Sequence, residues 1–261
     1  MKRKSDKKAI TSFKAFVEEV ESKKMLLTAR SGYEFPLFRG HADGSWKLEP
    51  TLLRSKNLKN MRALFDQESA FFYDFINKAG HRIASKNSWH TLFTMRHHGV
   101  PTRLIDWTEN LFVALYFALI DNPEQVKRPC IWVMDPSLLN KKSPKQTGGY
   151  IVNPEYDLHE YFDLFCKECK PNNHVPSHPI AFYPFRHHDR LIAQAGLFTM
   201  HGTNERPLNE QVPDCAVRID IPAAIIPEIQ LLLGVSGFNK FSIYQDFDSL
   251  AKYLKEIYHF V

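Results

Sequence analysis

The sequence predicts an α+β domain, and three observations carry that expectation. Segments with helical spacing come first and short apolar runs of strand length come later, with few helices between them, which argues against a regular doubly wound sheet. The 261 residues are 44% hydrophobic, enough for one large domain, or one domain plus an insertion, with a full core. In the stretch Arg96–Ala118, RHHGVPTRLIDWTENLFVALYFA, a helix end, a short strand and an all-apolar helix follow one another directly.

In that stretch Gly99 supplies the left-handed position that closes a helix, and Pro101 stops its continuation. Leu104 and Ile105 mark a strand over 102–106, entered in extended form because of Pro101. From Asn110 to Ile120 the chain is apolar on every side, so this helix is buried; at about 11 residues it falls well short of the roughly 20 needed to cross a bilayer. Asp106 and Thr108 therefore stand at a strand-to-helix junction at the edge of the core. Either can cap the helix by accepting a first-turn amide. Alternatively, the free N–H groups and positive dipole end there suit a phosphate or carboxylate ligand.

The remaining elements follow in order. Thr11–Leu27 spaces Phe13, Phe16, Val17 and Val20 as one helical face, with Thr11 or Ser12 as cap. Tyr33–Arg39 is an extended run ending in Gly40, and Pro36 favours an edge position. The segment 41–54 is loop-like, turned by Asp43 and Gly44, with Trp46, Leu48, Leu52 and Leu53 packing downward. Asn60–Ile83 is a long helix and Ser88–His98 a second one; Cys130–Met134 is a buried strand. Polar residues 141–149 open an insertion reaching about 178, with a helix of imperfect periodicity within 154–169. Strands are expected at 180–185, 196–201 and 216–221, a helix at 225–233 ending in Gly234, and a last amphipathic helix from Asp248 through Ile257. The organisation expected is a basic tail and helix over 1–28 and one domain over 29–261.

The net charge of +5 is mild, and much of it sits in Lys2, Arg3, Lys4, Lys7 and Lys8. A basic tail is a solvated end or a weak, salt-dependent attraction to nucleic acid. No segment reaches transmembrane length and no apolar core follows the basic N-terminus, so a cytoplasmic protein without membrane contact is expected. Four cysteines, unevenly placed at 130, 166, 169 and 215, do not suggest a disulfide scaffold.

Several residues are candidates for chemistry. Arg39, at a strand end beside Gly40, offers a planar cationic fork for a phosphate or ribose-bearing ligand, and the glycine permits close backbone approach; it is otherwise a surface arginine after an edge strand. Arg190 and Gln194 lie four apart and share a helical face, which puts Gln194 at the mouth of the strand starting at Gly196. The pairs His97-His98 and His187-His188 lack metal-ligand spacing, and a nuclease or other hydrolase would need them to converge with Asp106. Cys166, Cys169, His174 and His178 come closer to a structural zinc arrangement, with two free thiols in an insertion as the plainer reading.

Phe38-Arg39-Gly40, then HHGVPTRLIDWTENLFVALYFA, then RLIAQAGLF together resemble the FRG domain family, named for its Phe-Arg-Gly signature. The resemblance runs from about Tyr33 to the end, where IPEIQLLLGVSGFNKFSIYQDFDSLAKYL looks like that family's closing segment. The motif order is similar to that of ADP-ribosyltransferase folds: one strand carries an Arg or His beside a Gly, a second leads into a helix, and a third starts with a Glu. The resemblance thus implies a split, mixed or antiparallel sheet of ADP-ribosyltransferase type with N-terminal helices packed around it.

It also implies NAD as co-substrate without a required metal. Arg39, Gly40, His41, Trp107 and Arg190 would bind the cofactor, with Trp107 walling the nicotinamide pocket; Asp106, Thr108 and Gln194 would be catalytic. The chain departs from the pattern in having Gln194 where a transferase places its carboxylate, which stabilises oxocarbenium character far better than an amide does; Asp106 could supply that charge. A toxin or phage-defence role, a nucleic acid or protein acceptor, and an antitoxin or other regulatory partner are the expectations that follow. A binding module that kept the cleft and lost the chemistry is the alternative.

Overall fold

The computed structural model describes residues 10–57, 60–83, 87–142, 149–154, 176–184 and 189–260. Six strands, β1 (Leu37–His41), β2 (Leu104–Thr108), β3 (Cys130–Met134), β4 (Ile180–Phe182), β5 (Gly196–Met200) and β6 (Ala216–Asp220), form one sheet. Their order is β4-β5-β2-β1-β3-β6, and every pairing between them is antiparallel. The expected α+β class stands, and of the expected sheet the antiparallel alternative holds while the split does not. The seam where a split would fall is closed by the Phe38–Thr108 pair and by a guanidinium described below. β1 is also interior rather than an edge, with Pro36 just ahead of its first residue, where no ladder donor is needed.

Local chemistry sets the helix ends. Helix α1 (Phe13–Ser31) starts at Ser12, whose Oγ accepts from Ala15 N at 3.2 Å, and stops at Gly32 with φ 76°. α2 (Met61–Ala79) is capped by Asn60, and α3 (Ser88–His97) by Asn87; past α3 the chain turns through Gly99 at φ 80°. α4 (Leu111–Leu119) is capped by Asn110, whose Oδ1 accepts from Phe112 N at 2.8 Å. That task was expected of Asp106 or Thr108. Short helices α5 (Pro136–Lys141), α6 (Asp189–Ala193), α7 (Leu208–Gln211) and α9 (Lys240–Tyr244) accompany the longer α8 (Ile226–Val235) and α10 (Phe247–Ile257). Gly234 does not end α8, which runs one residue past it.

Alternation along the strands sends residues to two layers. On one face Phe38, Ile131, Val133 and Ile219 pack beneath α1, α4 and α8. Farther along the same face, Leu104, Phe198, Met200, Ile180 and Phe182 pack beneath α2 and α3. The other face buries Leu37, Ile105, Trp107, Trp132 and Met134 against Leu48, Leu139 and Leu208. Asp106 pairs with Phe198 and Thr108 with Phe38, so Asp106 emerges on the helical face between the two groups of helices. One buried ion pair fixes where β2 begins: Glu68 of α2 accepts from the Arg103 backbone N–H at 2.7 Å and from its Nε at 2.6 Å.

Candidate functional site

The site is built on a seam. β1 shares five register pairs with β3, and β2 shares five with β5, but β1 and β2 share only Phe38–Thr108. Beyond that pair the Arg39 guanidinium bridges the strands: Nη1 donates to the Asp106 carbonyl at 2.6 Å and Nε donates to His41 Nε2 at 3.2 Å. Gly40 is explained by the helix above it, since a Cβ there would lie 1.9 Å from the Ala114 carbonyl oxygen and 2.8 Å from Ala118 N. The close approach at Gly40 is made by α4, and Gly40 also lines the cleft described below. The three signature residues thus do separate work: Phe38 enters the core, Arg39 bridges the seam and Gly40 admits the helix.

The Asp106 carboxylate meets Arg96 of α3. Arg96 Nε lies 3.0 Å from each carboxylate oxygen, Nη2 donates to Oδ2 at close range, and Nη1 donates to Thr51 Oγ1 at 2.9 Å. Arg39 Nη1 stands 3.6 Å from Asp106 Oδ2. Burial alone would raise the Asp106 pKa, but Arg96, by charge and hydrogen bond, and then Arg39 hold it down at about 2. Burial lowers Arg39 to about 10 against the opposing pull of Asp106, so both remain charged near neutrality. Even so, 42% of the Asp106 side chain stays accessible.

That accessible side opens into a cleft of about 520 Å³, which brings Arg39, Arg96, Asp106, Arg190 and Gln194 together with Trp46 and the turn His97–Gly99. Three arginines face one aspartate among its described lining residues, so the cleft carries a positive excess suited to an anionic ligand. Arg190 Nη1 donates to the His97 carbonyl at 3.2 Å, and its guanidinium lies 4.5 Å from the Tyr244 ring centroid. The Gln194 backbone N–H closes one helical turn onto Arg190 O at 2.9 Å, as its spacing predicted, and its side-chain Nε2 donates to Ile243 O at 3.2 Å.

Other expected site residues sit elsewhere or are otherwise engaged. Trp107 is among the residues lining the cleft, while its indole is buried in the layer on the other face of the sheet, where Nε1 donates to Thr199 Oγ1 at 3.0 Å. His41 is buried between Trp46 and Trp132 and serves as acceptor for Arg39 rather than as a cofactor ligand. Thr108 Oγ1 donates to the Gln194 carbonyl at 2.6 Å and accepts from Asn110 N at 3.0 Å, so it ties the junction to the turn before β5. Arg96, the principal partner of Asp106, was not singled out by sequence reasoning. Its only signal was membership of the same signature stretch, ten residues away across a helix end.

Among the described residues no group of His, Cys, Asp or Glu could hold a metal ion. Cys166, Cys169, His174, His187 and His188 lie outside the described residues; His178 is half-buried with Nδ1 3.0 Å from Ser177 Oγ. Cys130 and Cys215 are buried thiols, and burial pushes them up to about 12 and about 11. No described helix is long and apolar enough to cross a membrane.

Two buried histidines set an acid limit on stability. Burial, followed for His41 by Arg39, pushes His41 down to about 3; burial likewise brings His201 to about 4. Both folded values lie below that of an unfolded histidine, about 6.5, so the fold holds the neutral forms. Stability is full above about pH 6.5 and falls as the pH drops from there toward the folded values, by roughly 2 kcal/mol apiece at pH 5. Thermal melts at pH 7.5 and pH 5 should differ accordingly, and identical midpoints would contradict this account.

No curated protein and no solved structure matches the chain. A family model does match, over a shorter span than the resemblance covers: it takes in Arg39, Arg96 and Asp106 and leaves out Arg190 and Gln194. Residues 35–127, from just before β1 to the segment ahead of β3, match the FRG domain.

Proposed function

We propose that the cleft binds NAD through its diphosphate, and that the chain is an ADP-ribosyltransferase-like protein acting on a nucleic acid or protein acceptor. The observation that carries this reading is the convergence of Arg39, Arg96 and Arg190 on one 520 Å³ cleft together with the half-open Asp106 carboxylate. Guanidinium forks match phosphate oxygens. A carboxylate held ionised by two arginines can face the positive charge that grows on a ribose as its bond to nicotinamide breaks. Toxicity or phage defence would follow from modification of a macromolecule, and a regulatory partner such as an antitoxin from the need to restrain it.

A second reading, a nucleotide-binding module without turnover, is favoured by one specific feature. Arg96 engages both oxygens of Asp106, and Gln194 is a neutral amide where the transferase pattern has a carboxylate.

Both readings predict that NAD raises the melting temperature. At a hundredfold excess over Kd the gain is about 2.7 kcal/mol, roughly 5–10 °C for a chain of this size. Arg190→Ala, which leaves the β1–β2 seam untouched, should abolish the gain, and Arg39→Ala should do so with an added loss of intrinsic stability. Labelled NAD incubated with cell lysate separates the two readings: label transfer or nicotinamide release supports the enzyme, and protection without either supports the module. Absence of protection by NAD in the folded wild-type chain would end both.

A further inference from the structure

We propose that a second groove, beside the arginine cleft, holds the backbone of a single-stranded nucleic acid, and that Trp46 stacks one of its bases on the ridge between the two. This rests on the reading above in naming the acceptor class of the same site. The groove measures about 580 Å³ and is walled by Lys127, Arg128 and Arg218 over a floor that includes Ile221, Ala223 and Ile226. Three cations thus face Asp220, the one acidic residue among its described lining.

These cations come from separate segments, the 127–129 run and β6, and the loop 42–44 ties the backbone of the first to the Arg218 guanidinium of the second. Gly44 N donates to Arg128 O at 2.6 Å, Arg218 Nη1 donates to Gly44 O at 2.8 Å, and Lys127 N donates to Ala42 O at 3.1 Å. Arg218 Nε also meets Asp220 at 2.9 Å, yet 42% of its side chain stays accessible; Arg128 is 76% accessible, and its contact with Asp43 is a loose 3.8 Å. Both arginines thus keep side-chain surface open to a further anion beyond their own aspartates.

The ridge itself is short. Gly44 and Ser45 line the second groove, and the next residue, Trp46, lines the arginine cleft with 39% of its surface open. One extended polyanion laid in the groove would therefore pass over an indole face into the cleft that holds Asp106. Guanidinium forks for phosphates, an exposed indole and an apolar floor for bases are the elements of sequence-tolerant single-strand binding. An acidic peptide would use the charges and leave the indole and the apolar floor without a role.

The test measures binding of a dye-labelled oligothymidylate of about 12 nucleotides, a span one such site can cover, to the full chain. Measurements run from about 50 to 200 mM salt, with NAD protection scored in the same samples. Lys127→Gln with Arg128→Gln, both exposed positions, should weaken binding about tenfold and make the salt dependence shallower by about 1.4 in log–log slope. Trp46→Ala should weaken it by about fivefold or more with the salt slope unchanged. Unaltered affinity and slope in the double variant would overturn the proposal, as would displacement of the oligonucleotide by polyglutamate at equal charge. The double variant should keep its NAD protection. If the oligonucleotide behaves as expected while NAD protects neither chain, the NAD reading fails and the groove stands.

Discussion

Gly40→Ala is expected to be a severely damaging single-methyl change. The added Cβ would sit 1.9 Å from the Ala114 carbonyl oxygen, and because that atom belongs to a helix backbone, no rotamer change relieves the clash. Either α4 moves off β1 or β1 bends away from β3, and both tear the core that contains Phe38, Ala114 and Ile131. Overpacking of a tight core usually costs about 1–3 kcal/mol, and a backbone-on-backbone contact lies at or beyond the upper end. A loss of about 4 kcal/mol would lower the melting temperature by roughly 10 °C or more. The measurement also separates two explanations of the glycine. Were it there to let a ligand approach, the alanine variant would melt normally and only fail to bind.

Glu68→Gln should cost nearly as much. Glu68 and Arg103 are each 1% exposed, and the carboxylate serves both the Arg103 guanidinium and its backbone N–H. An amide of the same shape removes the negative charge that the Arg103 guanidinium faces in the core, a change that typically costs about 3–5 kcal/mol. Glu68→Gln paired with Arg103→Met should recover part of the loss, because the pair is worth less than the penalty for breaking it. Urea melts of the single and double variants decide the matter. A double variant less stable than Glu68→Gln alone would show that packing, and not charge compensation, is what Arg103 contributes. Arg103 immediately precedes the strand that delivers Asp106, so the single variant should also weaken NAD protection in whatever fraction stays folded.

Much of the architecture was legible in the chain because it is set locally. Helix caps and stops such as Ser12, Gly32, Asn60 and Gly99 act over one turn, and a short run like CIWVM, with its β-branched and aromatic residues, favours a strand buried on both faces. Arg190 and Gln194 were placed together correctly because four-residue spacing is also a local matter. Partners were not legible. The side of the sheet on which Trp107 falls depends on strand register, which no short window reveals, and the same register sent its indole to the core instead of the cleft.

The sequence alone determined the α+β class, the buried character of α4, most element boundaries and the Phe-Arg-Gly signature, which falls within the 35–127 match. Only the tertiary structure decided that the sheet is continuous and fully antiparallel, that Gly40 serves a helix, and that Asp106 is held by an arginine from α3. The division has one physical cause. Dihedral preferences and periodicity act between neighbours in the chain, whereas hydrogen bonds across a seam and close backbone contacts act between neighbours in space, and those are chosen when the strands find their order.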